Sequence, residues 1–186
     1  MIKEALISYL TWEHINKQIK NGNFDELDLK ANADVIKKTL YDKSSKTLID
    51  CVKKGLADKA NSTSHLPEML DELNWRKDEI DAKCIGATMP EMGDLPLKAL
   101  MGDINETKEF VKNNQCYKSS QYVEKLTNIC DLLDEFPPIL IDTNYCNQRN
   151  PKDAKQTKYY IEDGNHRAVA YILCGHVKLR AFLGTK

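Results

Sequence analysis

Asp163-Gly164-Asn165-His166-Arg167 places a carboxylate, a glycine, an amide, an imidazole and a guanidinium on one short turn. The apolar spacing after it predicts a helix over Ala168 to Cys174, closed by Gly175. A helix N-terminus carries partial positive charge and unpaired N–H groups. Opening one with His166 and Arg167 therefore costs from a few tenths to about one kcal/mol. An anion bound in that corner reverses the sign, because backbone N–H groups, imidazole and guanidinium converge on it. Local violations of this kind gather at functional sites. A structural reading stands beside the functional one. In it Asp163 or Asn165 caps the helix and Arg167 pairs with Glu162 or Asp163 across the turn. The turn alone does not choose between them.

The elements around the turn are short. Ile139-Leu140-Ile141 and Tyr159-Tyr160-Ile161 are apolar enough for strands, and Pro137-Pro138 stops the helix before the first of them. That helix takes Ser119-Ser120 as its cap and carries Val123, Leu126, Ile129, Cys130 and Leu133. Leu95 to Leu100 reads as a short edge strand or extended segment and Thr143 to Thr157 as an exposed loop or hairpin. Val177, Leu179, Ala181 and Leu183 alternate with Lys178, Arg180 and Phe182, which suits a last half-buried strand. The order is strand, helix, strand, strand, helix, strand.

The first half reads as helices: Ile2 to Ile19, ended by Asn21-Gly22-Asn23; one capped near Ser44-Ser45; and one from Leu66-Pro67 carrying Met69, Leu70, Leu73 and Ile80. Trp12 and Trp75 belong to cores rather than ligand platforms. Glycine and proline cluster from Gly86 to Pro96, so the boundary is placed near residue 89. The expected organisation is a mostly helical region over 1–88 followed by a small α+β domain with a mixed sheet over 89–186.

With 27 basic and 28 acidic residues the net charge is -1, so nothing pulls the whole chain toward nucleic acid or anionic membrane. No secretory pattern opens the sequence and no apolar run approaches a membrane span. The six cysteines, Cys51, Cys84, Cys116, Cys130, Cys146 and Cys174, form no Cys-x-x-Cys pair. They are expected to be free, mostly buried thiols of a cytoplasmic protein. A zinc site from Cys146, Cys174 and His176 does not match known ligand spacings.

From Leu95 to Leu183 the sequence resembles the ParB/sulfiredoxin superfamily. The resemblance rests on Leu95-Pro96-Leu97, Tyr122-Val123-Glu124-Lys125-Leu126, Pro137-Pro138-Ile139-Leu140-Ile141 and above all Tyr160 to Ala170, with Asp163-Gly164-Asn165-His166-Arg167 at its centre. It implies a nucleotide whose phosphates lie at this turn. His166 and Arg167 would hold phosphate oxygens and Gly164 would allow close backbone approach. Glu162 or Asp163 would orient the loop, a metal ion or a nucleophile. Sulfiredoxins place a cysteine directly before the His-Arg pair, where this chain has Asn165, so sulfinic-acid repair is not expected. Partition proteins carry a different basic version of the motif and a following helix-turn-helix region, which is not read here after Gly175.

The function expected on these grounds is ATP-dependent phosphotransfer or nucleotide hydrolysis with Mg²⁺. Chemistry of this kind is mostly positioning and charge neutralisation. Glu162, Asp163 and His166 are the candidate catalytic groups. Gly164, Asn165, His166, Arg167 and Lys125 are the candidate nucleotide-binding groups. Acidic residues between Asp103 and Glu106 are candidates for an opposite wall. Two rivals remain: a nuclease or DNA-associated plasmid-type inhibitor using Lys152, Lys155, Lys158, Lys178 and Arg180 as a basic track, and a non-catalytic nucleotide sensor whose helical half engages a protein. No membrane partner is expected.

Overall fold

The structure, a computed structural model, describes residues 2–58, 66–87, 104–147 and 157–186. It divides into two compact units, Met1–Leu73 and Asn74–Lys186. The expected strand at Leu95, the change of texture near residue 89, and Asp103, Lys152 and Lys155 lie outside the described residues.

The first unit contains α1 (Ile2–Lys20), α2 (Glu26–Tyr41), α3 (Ser45–Ala57) and α4 (Leu66–Glu72). α1 buries Leu6, Trp12, Ile15 and Ile19 and packs against α2 and α3. Each large apolar side chain so buried contributes about 1.5–3 kcal/mol. The Ser44 cap of α3 is present, its hydroxyl accepting from Thr47 N at 3.2 Å. α2 had no clear apolar stripe to mark it, because it buries only Leu29, Ala33 and Leu40 and leaves Leu27 and Val35 exposed. Asp25 starts it by accepting from Asp28 N at 2.9 Å. α4 begins at Leu66 with Pro67 in its first turn but stops at Glu72, well short of Ile80.

The second unit is α+β. Its strands are β1 (Asn74–Asp81), β2 (Ile85–Gly86), β3 (Ile139–Asp142), β4 (Tyr159–Asp163) and β5 (Lys178–Thr185). Its helices are α5 (Ile104–Asn113), α6 (Lys118–Leu126), α7 (Cys130–Leu133), α8 (Thr143–Asn147) and α9 (Asn165–Leu173). The sheet order is β1-β5-β3-β4-β2 and the sheet is mixed. β5 runs antiparallel to β1 and parallel to β3, while β4 is antiparallel to β3 and parallel to β2.

Three readings of local pattern are corrected here. The helix expected to reach Ile80 gives way at Asn74 to a strand that pairs with β5 along its whole length, from Asn74 opposite Thr185 to Asp81 opposite Lys178. A partner so distant in sequence leaves no mark on local periodicity. Phe182, expected on the solvent side of the last strand, is buried, and Val177 is exposed and precedes the strand. β5 is an interior strand of the sheet, and the Lys77 ammonium lies 5.6 Å from the Phe182 ring, covering what an edge strand would leave to water. Thr143–Asn147 is a helical turn rather than part of a loop.

The thiol expectation is also corrected. Cys130 and Cys174 form a disulfide between α7 and the end of α9, while Cys51 and Cys116 are exposed rather than buried. The two partners stand 44 positions apart, a pairing that spacing alone does not reveal. Trp12 and Trp75 are both buried. Among the described residues no helix is long and apolar enough to cross a membrane.

Candidate functional site

β4 ends at Asp163, Gly164 makes the turn and α9 starts at Asn165. Gly164 has φ 100 and ψ 22, a left-handed conformation that favours glycine. A Cβ there would stand 2.8 Å from Arg167 Nη2 and 2.9 Å from Pro138 Cβ. The glycine thus serves the turn twice, in its backbone angle and in the close approach of Arg167.

Arg167 is directed inward. It is only 4% exposed. Its Nε donates to the Phe136 carbonyl at 3.1 Å and its Nη2 donates to Asp163 Oδ2 at 2.8 Å. The Phe136 carbonyl precedes Pro137, outside any helix or strand, and a buried acceptor of that kind needs a donor. One fork satisfies both groups, which is what a guanidinium does and an ammonium does not. Arg167 was expected to hold phosphate oxygens. Its position matches the structural reading instead, an ion pair with Asp163 across the turn. Asp163, a candidate base or metal ligand, is engaged in that pair.

His166 turns the other way, toward α6. Its Nε2 and the Ser119 Oγ share a hydrogen bond at 3.1 Å, and its ring meets Tyr122 edge-on at 5.5 Å. Ser119 and Ser120 were expected to cap α6, but the helix begins at Lys118. Both serines lie in its first turn, buried at 3% and 0% exposure, with Tyr117 at the cap position making no side-chain bond. Gly164 likewise gives α9 no side-chain cap, and neither helix has an acidic residue in its first turn. Two helix N-termini therefore meet through Ser119 and His166, neither with a side-chain bond from its N-cap residue and both with like partial charge. Among the described residues the buried Ser120 hydroxyl has no hydrogen-bond partner, a state that costs about 1–3 kcal/mol. This convergence was invisible in the sequence, since it depends on α6 packing against α9.

The remaining candidates are spread around this point. Glu162 is the extra residue of a β-bulge, since Asp163 pairs with Ile139 and Ile161 with Leu140. Bulges re-aim side chains and recur beside functional sites. Asn165 is the first residue of α9 and is half-buried. Lys125 is exposed in the last turn of α6, three residues beyond Tyr122 and so on the same helix face. Glu106 lies in the first turn of α5, which packs on α9. Of the described cations in the expected basic track, Lys178 pairs with Glu79 at 3.5 Å and Arg180 with Asp134 at 2.9 Å, while Lys158 is exposed.

A second polar cluster occupies the other end of α9. Asp134 accepts from the Tyr171 hydroxyl at 3.0 Å and pairs with Arg180. Burial first, and the Asp134 carboxylate second, push the Tyr171 phenol up to about 12. Its ring stacks on His176 at 3.9 Å. Among the described residues no group of three or more His, Cys, Asp and Glu side chains is placed to hold a metal ion. No protein-family model, curated protein or solved structure matches the chain.

Proposed function

We propose that the second unit binds a phosphate-bearing ligand, a nucleotide, where α6 and α9 begin. The observation that carries this reading is the meeting, at Ser119 and His166, of two helix N-termini whose N-cap residues make no side-chain bond. Like partial charges brought together are unfavourable until an anion joins them, and backbone N–H groups are the usual donors for phosphate. In the same helical turn the buried Ser120 hydroxyl has no hydrogen-bond partner among the described residues, a donor in need of an acceptor. Relative to the sequence reading, the donor set changes: the helix ends, Asn165 and His166 face the ligand, and Arg167 holds the turn that presents them. Lys125 is one turn from Tyr122 and supplies a further cation.

Kinship with the ParB/sulfiredoxin superfamily belongs to this proposal and rests on the motif from Tyr160 to Ala170 in its strand-to-helix setting. ATP with Mg²⁺ is the proposed ligand. The donor chemistry fits its phosphates, while the cation would be held chiefly by the phosphates themselves with Glu162 as a protein carboxylate. Bound Mg²⁺ would neutralise charge on the phosphates. The cytoplasm is the proposed compartment.

A non-catalytic nucleotide sensor is the second reading. It is favoured by the bonds two candidate catalytic groups already make, Asp163 with Arg167 and His166 with Ser119. Phosphotransfer or hydrolysis leaves Glu162, on its bulge, as the candidate base. The test is a thermal-shift panel of ATP, CTP, GTP and their diphosphates, with and without Mg²⁺, followed by product analysis on each hit. Saturable stabilisation supports the site, and turnover separates enzyme from sensor. Absence of any saturable response removes the proposal.

A further inference from the structure

Cys130 is the first residue of α7 and Cys174 is the C-cap of α9. Their Cα atoms lie 6.4 Å apart, inside the window of about 4.4–6.8 Å that a disulfide spans without moving backbone. Both residues are partly exposed, so thiol reagents reach the bond. The same chain displays Cys51 and Cys116 as exposed free thiols and Cys84 as a partly exposed one. Exposed thiols persist where the surroundings are reducing. A bond-competent, accessible pair in such a chain is placed to open and close rather than to stay closed.

We propose that Cys130–Cys174 is a reversible redox clamp on the C-terminal end of α9. The bond closes a loop containing β3, β4 and the Asp163–Arg167 turn. A second tie holds the same two helices without redox chemistry: the Tyr171 hydroxyl donates to Asp134, at the C-cap of α7. Arg180 of β5 pairs with the other oxygen of that carboxylate. Because this tie survives reduction, the fold persists in both states and only the tightness of α9 changes. His176, stacked on Tyr171, sits just beyond the clamp.

The chemistry is thiol–disulfide exchange with glutathione. In the closing direction one cysteine thiolate attacks glutathione disulfide and expels a glutathione thiolate, giving a mixed disulfide. The second cysteine thiolate then attacks the protein sulfur of that mixed disulfide and expels the second glutathione. Two protein thiols are oxidised, one glutathione disulfide is reduced to two glutathiones, and the protons of the thiols end on the released glutathiones. No other oxidant is needed.

The full chain, equilibrated across a series of glutathione-to-glutathione-disulfide ratios, is denatured, alkylated and weighed. The number of alkylated cysteines should change from six to four across the series, six cysteines less the pair, and return on reversal. Peptide mapping should assign the lost thiols to Cys130 and Cys174. Oxidised protein should melt higher than reduced protein by roughly 5–15 °C, as expected for closing a loop of this size. Cys130→Ser and Cys174→Ser should each melt like the reduced protein and ignore the ratio. Six thiols at every ratio, a different pair, or equal melting temperatures would overturn the clamp. Four thiols even in a hundredfold excess of reduced glutathione would overturn its reversibility. None of these readouts involves a nucleotide, so they stand or fall apart from the proposed site.

Discussion

Arg167 Nη2 lies 2.8 Å from Asp163 Oδ2, four residues back in sequence, and the guanidinium passes over Gly164 where any side chain would collide with it. The pair is a fastener. It joins the last residue of β4 to α9, and its Nε bond to Phe136 ties both to the segment leading into β3.

Arg167→Ala should lower stability by about 2–4 kcal/mol, because it leaves the Phe136 carbonyl and the Asp163 carboxylate without this donor. Arg167→Lys should recover less than half of the loss, since one ammonium does not reach both acceptors with fork geometry. Denaturant unfolding of the three proteins checks this. An Arg167→Ala protein as stable as the parent would show the fastener to be idle.

Gly164 and Gly175 offer a matched comparison. Both have left-handed φ, 100 and 99, but a Cβ at Gly175 meets nothing within 4 Å. Gly175→Ala should cost about 1 kcal/mol, the backbone term alone. Gly164→Ala should cost at least about 1 kcal/mol more, because Pro138 and Arg167 must also move. Equal losses in urea titrations would mean that the close approach carries no energy.

Much of this region was legible in the sequence. The strand before Gly164, the turn and the helix after it follow from Tyr159-Tyr160-Ile161, one glycine and the spacing of apolar residues to Cys174. The orientation of Arg167 was open, since charge spacing allows both an anion clamp and an ion pair with Asp163. Burial chose between them, and burial is tertiary. The same limit hid β1, whose ladder partner is β5, and hid the meeting of α6 with α9 through Ser119 and His166. Ser119-Ser120 looked like a cap because serine favours caps. Packing placed both inside the helix.

Tyr171 supplies a pH signature. Its phenol is raised from 10.0 to about 12, by burial first and by Asp134 second. The folded state therefore holds this proton more tightly than the unfolded chain. The stability it contributes is complete below pH 10 and is lost as pH rises through about 12. Other groups titrate in that window, so the informative quantity is the difference between the parent and Tyr171→Phe. That difference should be constant below pH 10 and should shrink as pH climbs toward 12. A difference independent of pH across this range would remove Tyr171 as its source.

The most direct test of phosphate binding at the start of α9 is Asn165→Asp, measured twice on one preparation. Asn165 is the first residue of the helix, and the change adds a carboxylate at nearly constant shape. At an N-terminus whose N-cap residue makes no side-chain bond, that charge should stabilise the apo protein by about 0.3–1 kcal/mol. The same charge repels a phosphate, so calorimetric affinity for Mg²⁺-ATP should fall at least about tenfold, equivalent to about 1.4 kcal/mol. A higher melting temperature together with weakened binding is the predicted result. Saturable binding to the parent that Asn165→Asp leaves unchanged would contradict the location of the site, and no saturable binding to the parent would contradict the site itself.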